Sequence, residues 1–494
     1  MQFEYKGVNM KRIASLLASL LIVIPFVTVN GARAISFPYK DTLYSEAAVL
    51  ISMDTNEIIS EKNADLTQCP GSLVNIMTAV VVLENCKDLK KDITLDPEIY
   101  QHVYEELDQP EDLPTVDLKD GDILKVDDLI YCMMLTSSVE AAETLAYHVG
   151  GLIKAEDKTA SGSNTEVFVA KMNDKAEQLG LSSTKFTNAH GMYDPKQYTT
   201  ARDMAKLTQY ALTVPLFREI ATTTKYTPVV PNVERHPHHD EWVWTHSNIM
   251  TDETDEANFF MGSKGIKTAK LEAAGRNIIT LASKNGYNYL VILMKAPFKD
   301  EEGNQVYCHI EDAKHMLDWA FEHFSKQILL ASTAEMGERP VKLADNDGKN
   351  YVIARPKDSV EVLWCDEVDP NLVNKDKIVW NKDSFQAPIK QGDSLGEVTL
   401  IYSGEELAKV ELVAVSDVER SKTKYNFEVA KRFHKSPWFR TAIKISVALT
   451  VIYIILCIYS LVLFKSSKKP LKPIYAVPKM DKKKKKAPKN SKKQ

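Results

Sequence analysis

Six cysteines in 494 residues cannot staple this chain. Cys457 falls inside a charge-free apolar run. That leaves Cys69, Cys86, Cys132, Cys308 and Cys365, an odd number at wide spacing, which makes no disulfide framework. Nucleotide, haem and flavin motifs are missing too, so no cofactor is expected. Basic charge is scarce where a nucleic-acid binder would need it. The net charge is −5, but thirteen lysines against Asp481 give residues 465–494 a charge of +12, and residues 1–34 carry +3. The stretch between is left at −20, which argues against nucleic acid or polyphosphate as a partner. By the usual domain size of roughly 150 residues, the length suggests about two to four units.

What is present begins with the two ends. Lys11 and Arg12 precede the apolar run Ile13 to Val29, and Ala32-Arg33-Ala34 places small residues where a signal peptidase inspects. Residues 1–34 are therefore expected to be a cleaved export signal, the alternative being an uncleaved anchor. Ile445 to Phe464 is a 20-residue run without a charge, and at 1.5 Å per residue such a helix spans the ~30 Å hydrocarbon core. Thirteen lysines follow, outnumbering the basic residues before the span. The positive-inside rule then puts residues 465–494 in the cytoplasm and the rest outside, the orientation that an export signal also gives. The tail has too few apolar residues to fold and is attracted to anionic inner-leaflet lipid. An exported chain this careless with cysteine fits a bacterial cell membrane, as a single-pass protein with an extracellular ectodomain.

Within the ectodomain, Ala47 to Met53 and Glu57 to Ser60 predict a hairpin about Asp54-Thr55-Asn56. Ser72 to Glu84 is apolar nearly all round and predicts a helix buried on every side. Val126 to Gly150 reads as another buried helix, with Gly150-Gly151 as its stop. Val167 to Leu179, ended by Gly180, and Thr200 to Leu212 read as further helices. Asn277 to Ala282 and Tyr289 to Met294 predict strands joined at Asn285-Gly286, and His309 to Phe324 a closing helix. Strands at both ends with helices between indicate an α/β fold, one sheet flanked by helices. From about Leu329 short strand-like runs with turn residues between predict a small all-β domain over 335–419.

Three segments look like one active site divided in sequence: Pro70 to Ala79 (PGSLVNIMTA), Met134 to Ala142 (MLTSSVEAA) and Gly265 to Ala269 (GIKTA). Their order and spacing resemble the penicillin-binding serine peptidases, with motifs S-x-x-K, S-x-N and K-T-G. Within that class the resemblance is to the D-alanyl-D-alanine carboxypeptidases of low molecular mass. Glu61 to Asp65 resembles the lead-in to the first motif. Phe168-Val169, Met172-Asn173, Leu179 to Leu181, Thr184, Phe186, Asn188, His190-Gly191 and Thr200 to Asp203 resemble the central signature. Gln386 to Asp393 is similar to the appended β-domain. The resemblance spans roughly Ile35 to Glu419. It implies a penicillin-binding/β-lactamase-like domain over 35–325, then the β-domain, the span at 445–464 and the tail.

The resemblance also assigns roles: Ser72 as nucleophile, Ser137 as proton relay, Lys267 and Thr268 as holders of the substrate's terminal carboxylate. Yet each motif departs from the pattern. A serine hydroxyl needs a base, which S-x-x-K supplies one helical turn on. Here that position is Asn75, whose amide is not usefully basic near neutral pH. Val139 stands in place of the substrate-binding asparagine, and each lost buried hydrogen bond costs about 1–3 kcal/mol. Ala269 replaces the glycine that lets substrate lie against the strand. One fault in every motif implies a pseudoenzyme: a cell-wall protein that binds the peptidoglycan stem peptide, or a cell-wall assembly protein, without turnover. The alternative is an active serine-type D-Ala-D-Ala carboxypeptidase with a rearranged base, Lys267 across the cleft. His236-Pro237-His238-His239-Asp240 and His246 invite a zinc reading, but a polar surface insertion, in a loop, accounts for them and no metal is expected. Cys69 reads as structural, and Glu140 as part of its helix.

Overall fold

The computed structural model describes residues 37, 39–105, 116, 118–229, 236, 243–299, 302–345 and 350–466. The expected export signal, residues 467–494 of the tail, and His238, His239 and Asp240 lie outside them. The chain separates into two compact units, one of residues 1–336, 355–381 and 394–413, the other of 337–354, 382–393 and 414–494.

The first unit is built on an antiparallel five-stranded sheet in the order Glu57–Lys62, Ala47–Ser52, Tyr287–Ala296, Gly275–Lys284, Ser263–Leu271. Ala47–Ser52 (AAVLIS) has no polar alternation, and all six residues are buried, so both faces need a cover. One cover is the helix Cys308–His323, where Phe321 meets Tyr289 edge-on at 5.0 Å. On the other face Val49, Ile51, Leu290 and Ile292 join a core with the helices Asn75–Asn85, Val126–Thr136, Val139–Glu156, Asn164–Gln178 and Ala201–Ala211. This is the expected α/β arrangement of a sheet between helices. Asn75–Asn85 lies in its middle, buried from Asn75 to Val82, as its all-round apolar sequence requires. The same unit holds a Phe37, Phe324, Trp364 and Tyr402 aromatic cluster and the antiparallel strands Asn374–Trp380, Ser394–Tyr402 and Glu405–Ala414.

The second unit pairs Glu338–Lys342 with Tyr351–Pro356 antiparallel and with Phe385–Gln386 parallel. It continues into two helices. Lys422–Lys435 is capped by Ser421 Oγ, which accepts the Lys424 N–H at 3.4 Å. Pro437–Ser466 starts on a proline, suited to a first helical turn. Its Pro437–Lys465 stretch is long and apolar enough to cross a membrane, and none of it is buried.

Two expectations fail in one place. The buried helix from Val126 is two helices, Val126–Thr136 and Val139–Glu156, parted at Ser137, which takes a left-handed φ of 65°. Ser138 restarts the chain by accepting the Ala141 N–H on its hydroxyl at 3.2 Å. Nor do Gly150-Gly151 end the second helix, which runs to Glu156. They are packing glycines: a Cβ on Gly150 would fall 1.9 Å from the Asn164 carbonyl oxygen. The true cap nearby is Ser163, in a reciprocal box with Glu166 that starts Asn164–Gln178. Gly150→Ala should accordingly drive these helices apart, lowering stability by about 1–3 kcal/mol or more, read as a drop in the thermal unfolding midpoint with the helical circular-dichroism signal retained.

Candidate active site

The first motif rides on a tight turn. Gly71–Val74 winds as a 3-10 helix that hands over to Asn75–Asn85. Gly71 has φ +55°, and a Cβ there would lie 3.1 Å from Ala269 Cβ, so the first and third motifs are packed together. Gly191 presses on the turn from the loop before Ala201–Ala211. Its Cβ would stand 2.3 Å from the Gly71 carbonyl oxygen and 2.8 Å from Ser72 Cα. Asn277 Nδ2 donates to the Pro70 carbonyl at 3.1 Å, and its Oδ1 accepts the Lys295 N–H at 2.6 Å. Ser72 is therefore positioned by contacts on the backbone around it.

The second and third motifs meet through Lys267. This residue lies on the sheet-edge strand Ser263–Leu271 with no exposed surface. Its ammonium donates a short hydrogen bond to Ser137 Oγ and another, at 3.1 Å, to the Met134 carbonyl. Burial pushes Lys267 down to about 7. Among the described residues no carboxylate pairs with it: burial drives the neighbouring Cys132 thiol up to about 12, and His246 is held down to about 4 by burial and then by Lys267 itself. Thr268 is half-buried, its hydroxyl 2.6 Å from Ser247 Oγ. Of the four residues implicated by sequence, Ser137 and Lys267 are bonded to each other, and Thr268 follows on the same strand. Ser72 shares the cleft through the contact of Gly71 with Ala269, and among the described residues no side chain hydrogen-bonds its hydroxyl.

Asn75 does something other than base chemistry. It is fully buried, and its Nδ2 donates to the Ala189 carbonyl at 3.2 Å, an acceptor shared with Thr78 Oγ1 at 2.7 Å. The side chain thus ties the first helix to the loop bearing His190 and Gly191. Its Oδ1 is buried without a hydrogen-bond partner. Val139 is buried and apolar, leaving no side-chain partner for a substrate amide.

Sequence reasoning missed a buried pair beside this loop. Glu143, one turn after Val139 on the same helix face, places its carboxyl 3.5 Å from His190 Nε2. The ring accepts the Met192 N–H on Nδ1 at 3.1 Å, so its own proton sits on Nε2, facing Glu143. Burial holds His190 down to about 3 and raises Glu143 to about 7; the contact joins a neutral ring to a carboxyl that keeps its proton well above the ordinary range. The available signal was an acid in an otherwise apolar helical run. Glu140, by contrast, is structural as expected, accepting from Ser138 Oγ at 2.6 Å and Tyr104 Oη at 2.5 Å. Cys69 is half-buried with its thiol raised by burial, and all six cysteines are free.

The histidine segment is not a surface feature where it is described. His236 is buried with its Nε2 2.8 Å from Asp122 Oδ2, and His246 is buried with Nδ1 accepting the Asn248 N–H at 2.9 Å. Among the described residues no cluster of three His, Cys, Asp or Glu could hold a metal ion.

Comparison with known proteins agrees with this layout. Residues 34–297 match the D-alanyl-D-alanine carboxypeptidase family, and residues 333–420 match the penicillin-binding protein 5 C-terminal domain. The D-alanyl-D-alanine carboxypeptidase DacF of Bacillus subtilis is 24% identical over 414 residues, which cover 82% of this chain and 95% of that one. Among solved structures, the D-alanyl-D-alanine carboxypeptidase DacD of Francisella tularensis superposes with a TM-score of 0.55 at 19% identity, covering 80% of this chain and all of that one. Penicillin binding protein 5 of Haemophilus influenzae gives 0.50 at 23%, covering 78% and 100%. At these identities the structures share the fold.

Glu143 sets a pH dependence of stability. The folded chain holds this proton up to about pH 7, whereas the unfolded chain releases it near the ordinary 4.5. Between those values the folded state binds more protons, so stability falls as pH rises through that window and stays reduced above it. Glu143→Gln removes the titration. Its unfolding midpoint should match the parent near pH 4.5 and exceed it at pH 8, by a stability difference of about 3 kcal/mol as an order of magnitude.

Proposed function

Because the chain belongs to the D-alanyl-D-alanine carboxypeptidase family, we propose that it is a catalytically impaired member that binds the peptidoglycan stem peptide, or a cell-wall assembly protein, at the cleft of Ser72, Ser137, Lys267 and Thr268. The observation that carries this is Asn75. It occupies the position of the base, and its amide is engaged with the Ala189 carbonyl. General-base help contributes typically 10²–10⁴-fold, and among the described residues no side chain hydrogen-bonds the Ser72 hydroxyl. Lys267, the substitute base in the active-enzyme reading, hydrogen-bonds Ser137 and Met134 and not Ser72. Thr268 and Ser247, with hydroxyls in contact at 2.6 Å, offer a polar end for a peptide carboxylate.

The same reading supplies topology. Residues 1–34 serve as an export signal, residues 35–325 and 335–419 form the extracellular peptidase-like and β-domains, and 445–464 span the membrane once. The lysine-rich 465–494 then lies in the cytoplasm, where about 1 kcal/mol of lipid attraction per surface lysine is available. The apolar, unburied helix Pro437–Lys465 supports the anchor.

Full-length protein in detergent micelles, treated with a fluorescent penicillin, should acquire no label at Ser72. The combined Asn75→Lys, Val139→Asn and Ala269→Gly variant should become labelled there. A label on the parent that Ser72→Ala abolishes would establish the active enzyme instead. Binding is read separately, by titrating a peptide ending in D-Ala-D-Ala. Thr268→Val should weaken it roughly tenfold, the loss of about 1.4 kcal/mol for a hydrogen bond to a charged group.

A further inference from the structure

We propose that the nucleophile remaining in this cleft is Ser137, with Lys267 as its base, and that the pair takes acyl groups from small activated esters. Lys267 Nζ and Ser137 Oγ are hydrogen-bonded, which is the contact that proton transfer between them requires. The amine is fully buried, and among the described residues it forms no ion pair with a carboxylate. Its shift to about 7 puts a substantial neutral fraction at physiological pH. A Ser–Lys pair of this kind needs no third residue to orient an imidazole. It lacks only what positions the serine and what receives the negative charge.

The helix break supplies both. Ser137 sits alone in left-handed backbone between Val126–Thr136 and Val139–Glu156, a conformation that is unfavourable for a non-glycine residue and is held by its surroundings. The 18-residue helix Val139–Glu156 starts two residues on. Its first-turn N–H groups have no intrahelical acceptor. Ser138 Oγ takes that of Ala141, which leaves the Val139 and Glu140 N–H groups, in the turn next to the serine, as the donors we assign to a developing oxyanion. Val139, the faulty residue of the second motif, makes the adjoining wall apolar, which favours a short aliphatic acyl group and removes the partner a peptide amide would need.

In the first step neutral Lys267 Nζ takes the Ser137 hydroxyl proton as the Oγ–C bond forms. The tetrahedral intermediate collapses, the C–O bond to the leaving alcohol breaks, and Lys267 returns the proton to that oxygen. Water then repeats the sequence: it gives a proton to Lys267, attacks the acyl carbon, and the ester bond to Ser137 Oγ breaks as the proton returns, releasing the carboxylic acid. An ester's leaving oxygen needs less assistance than an amine, so amide bonds are not the substrates.

The test uses full-length protein in detergent micelles. A fluorophosphonate probe traps the reactive serine through an Oγ–P bond with loss of fluoride, and tryptic mapping separates the candidates, since Ser72 lies in the peptide 63–87 and Ser137 in 126–154. Fragmentation should place the adduct on Ser137. Hydrolysis of p-nitrophenyl acetate should fall at least tenfold in Ser137→Ala and in Lys267→Met. Ser137→Gly, which suits the left-handed backbone while deleting the hydroxyl, guards against misfolding of the alanine variant and should show the same loss while keeping a cooperative melting transition. An adduct confined to Ser72 or to lysines, no adduct, or unchanged hydrolysis in Ser137→Gly would each overturn the proposal. Stem-peptide binding is measured independently, so the failure of one reading is distinguishable from the failure of the other.

Discussion

The buried amine of Lys267 is the constraint around which the cleft is arranged. An ammonium without a counter-ion is expensive to bury, and the fold offers it only a hydroxyl and a carbonyl. Both come from the end of one helix, at Ser137 and Met134. The sheet edge and the helix layer are therefore joined at a polar point inside an apolar core. That point depends on the helix stopping where it does, because continuous helix through Ser137 would direct the hydroxyl elsewhere. Ser137's positive φ and the cap by Ser138 are local consequences of meeting the strand.

Around this junction the three motif faults differ in kind. Asn75 is a structural tie, since its amide and Thr78 hold the same carbonyl of the Ala189 loop. Val139 is simply buried apolar surface. Ala269 touches the Gly71 turn, where a methyl at 3.1 Å from an added Cβ already fills the gap. The fold has absorbed each change, and the turn bearing Ser72 retains its supports at Asn277 and Gly191. The buried Glu143 and His190 pair shows that the helix layer also tolerates titratable groups, provided they sit there uncharged.

Much of this was legible in the chain. The sheet-and-helix order, the hairpin at Asp54 to Asn56, the turn at Asn285-Gly286 and the three motifs are local patterns that need no tertiary knowledge. The break at Ser137 was not legible, because apolar residues continue on both sides of it and the positive φ arises from a partner about 130 residues away in sequence. Gly150-Gly151 read as a stop because sequence does not distinguish a glycine that ends a helix from one that makes room for another. The histidine-rich loop looked exposed by composition, yet His236 found a buried aspartate supplied by Asp122. Asn75 was legible as a missing base, but its new bond depends on a loop whose approach only the fold defines.

The contact of Gly191 with the Ser72 backbone separates two things that mutation usually couples. The path of the turn is enforced by main-chain atoms and by a residue that must lack a side chain, so drift at positions 75, 139 and 269 leaves the frame standing. Substitution at those three positions can therefore change the chemistry of the cleft without changing the path of the turn that carries Ser72. Gly191 has no such latitude, and a census of natural variants should find it more tightly restricted than positions 75, 139 and 269.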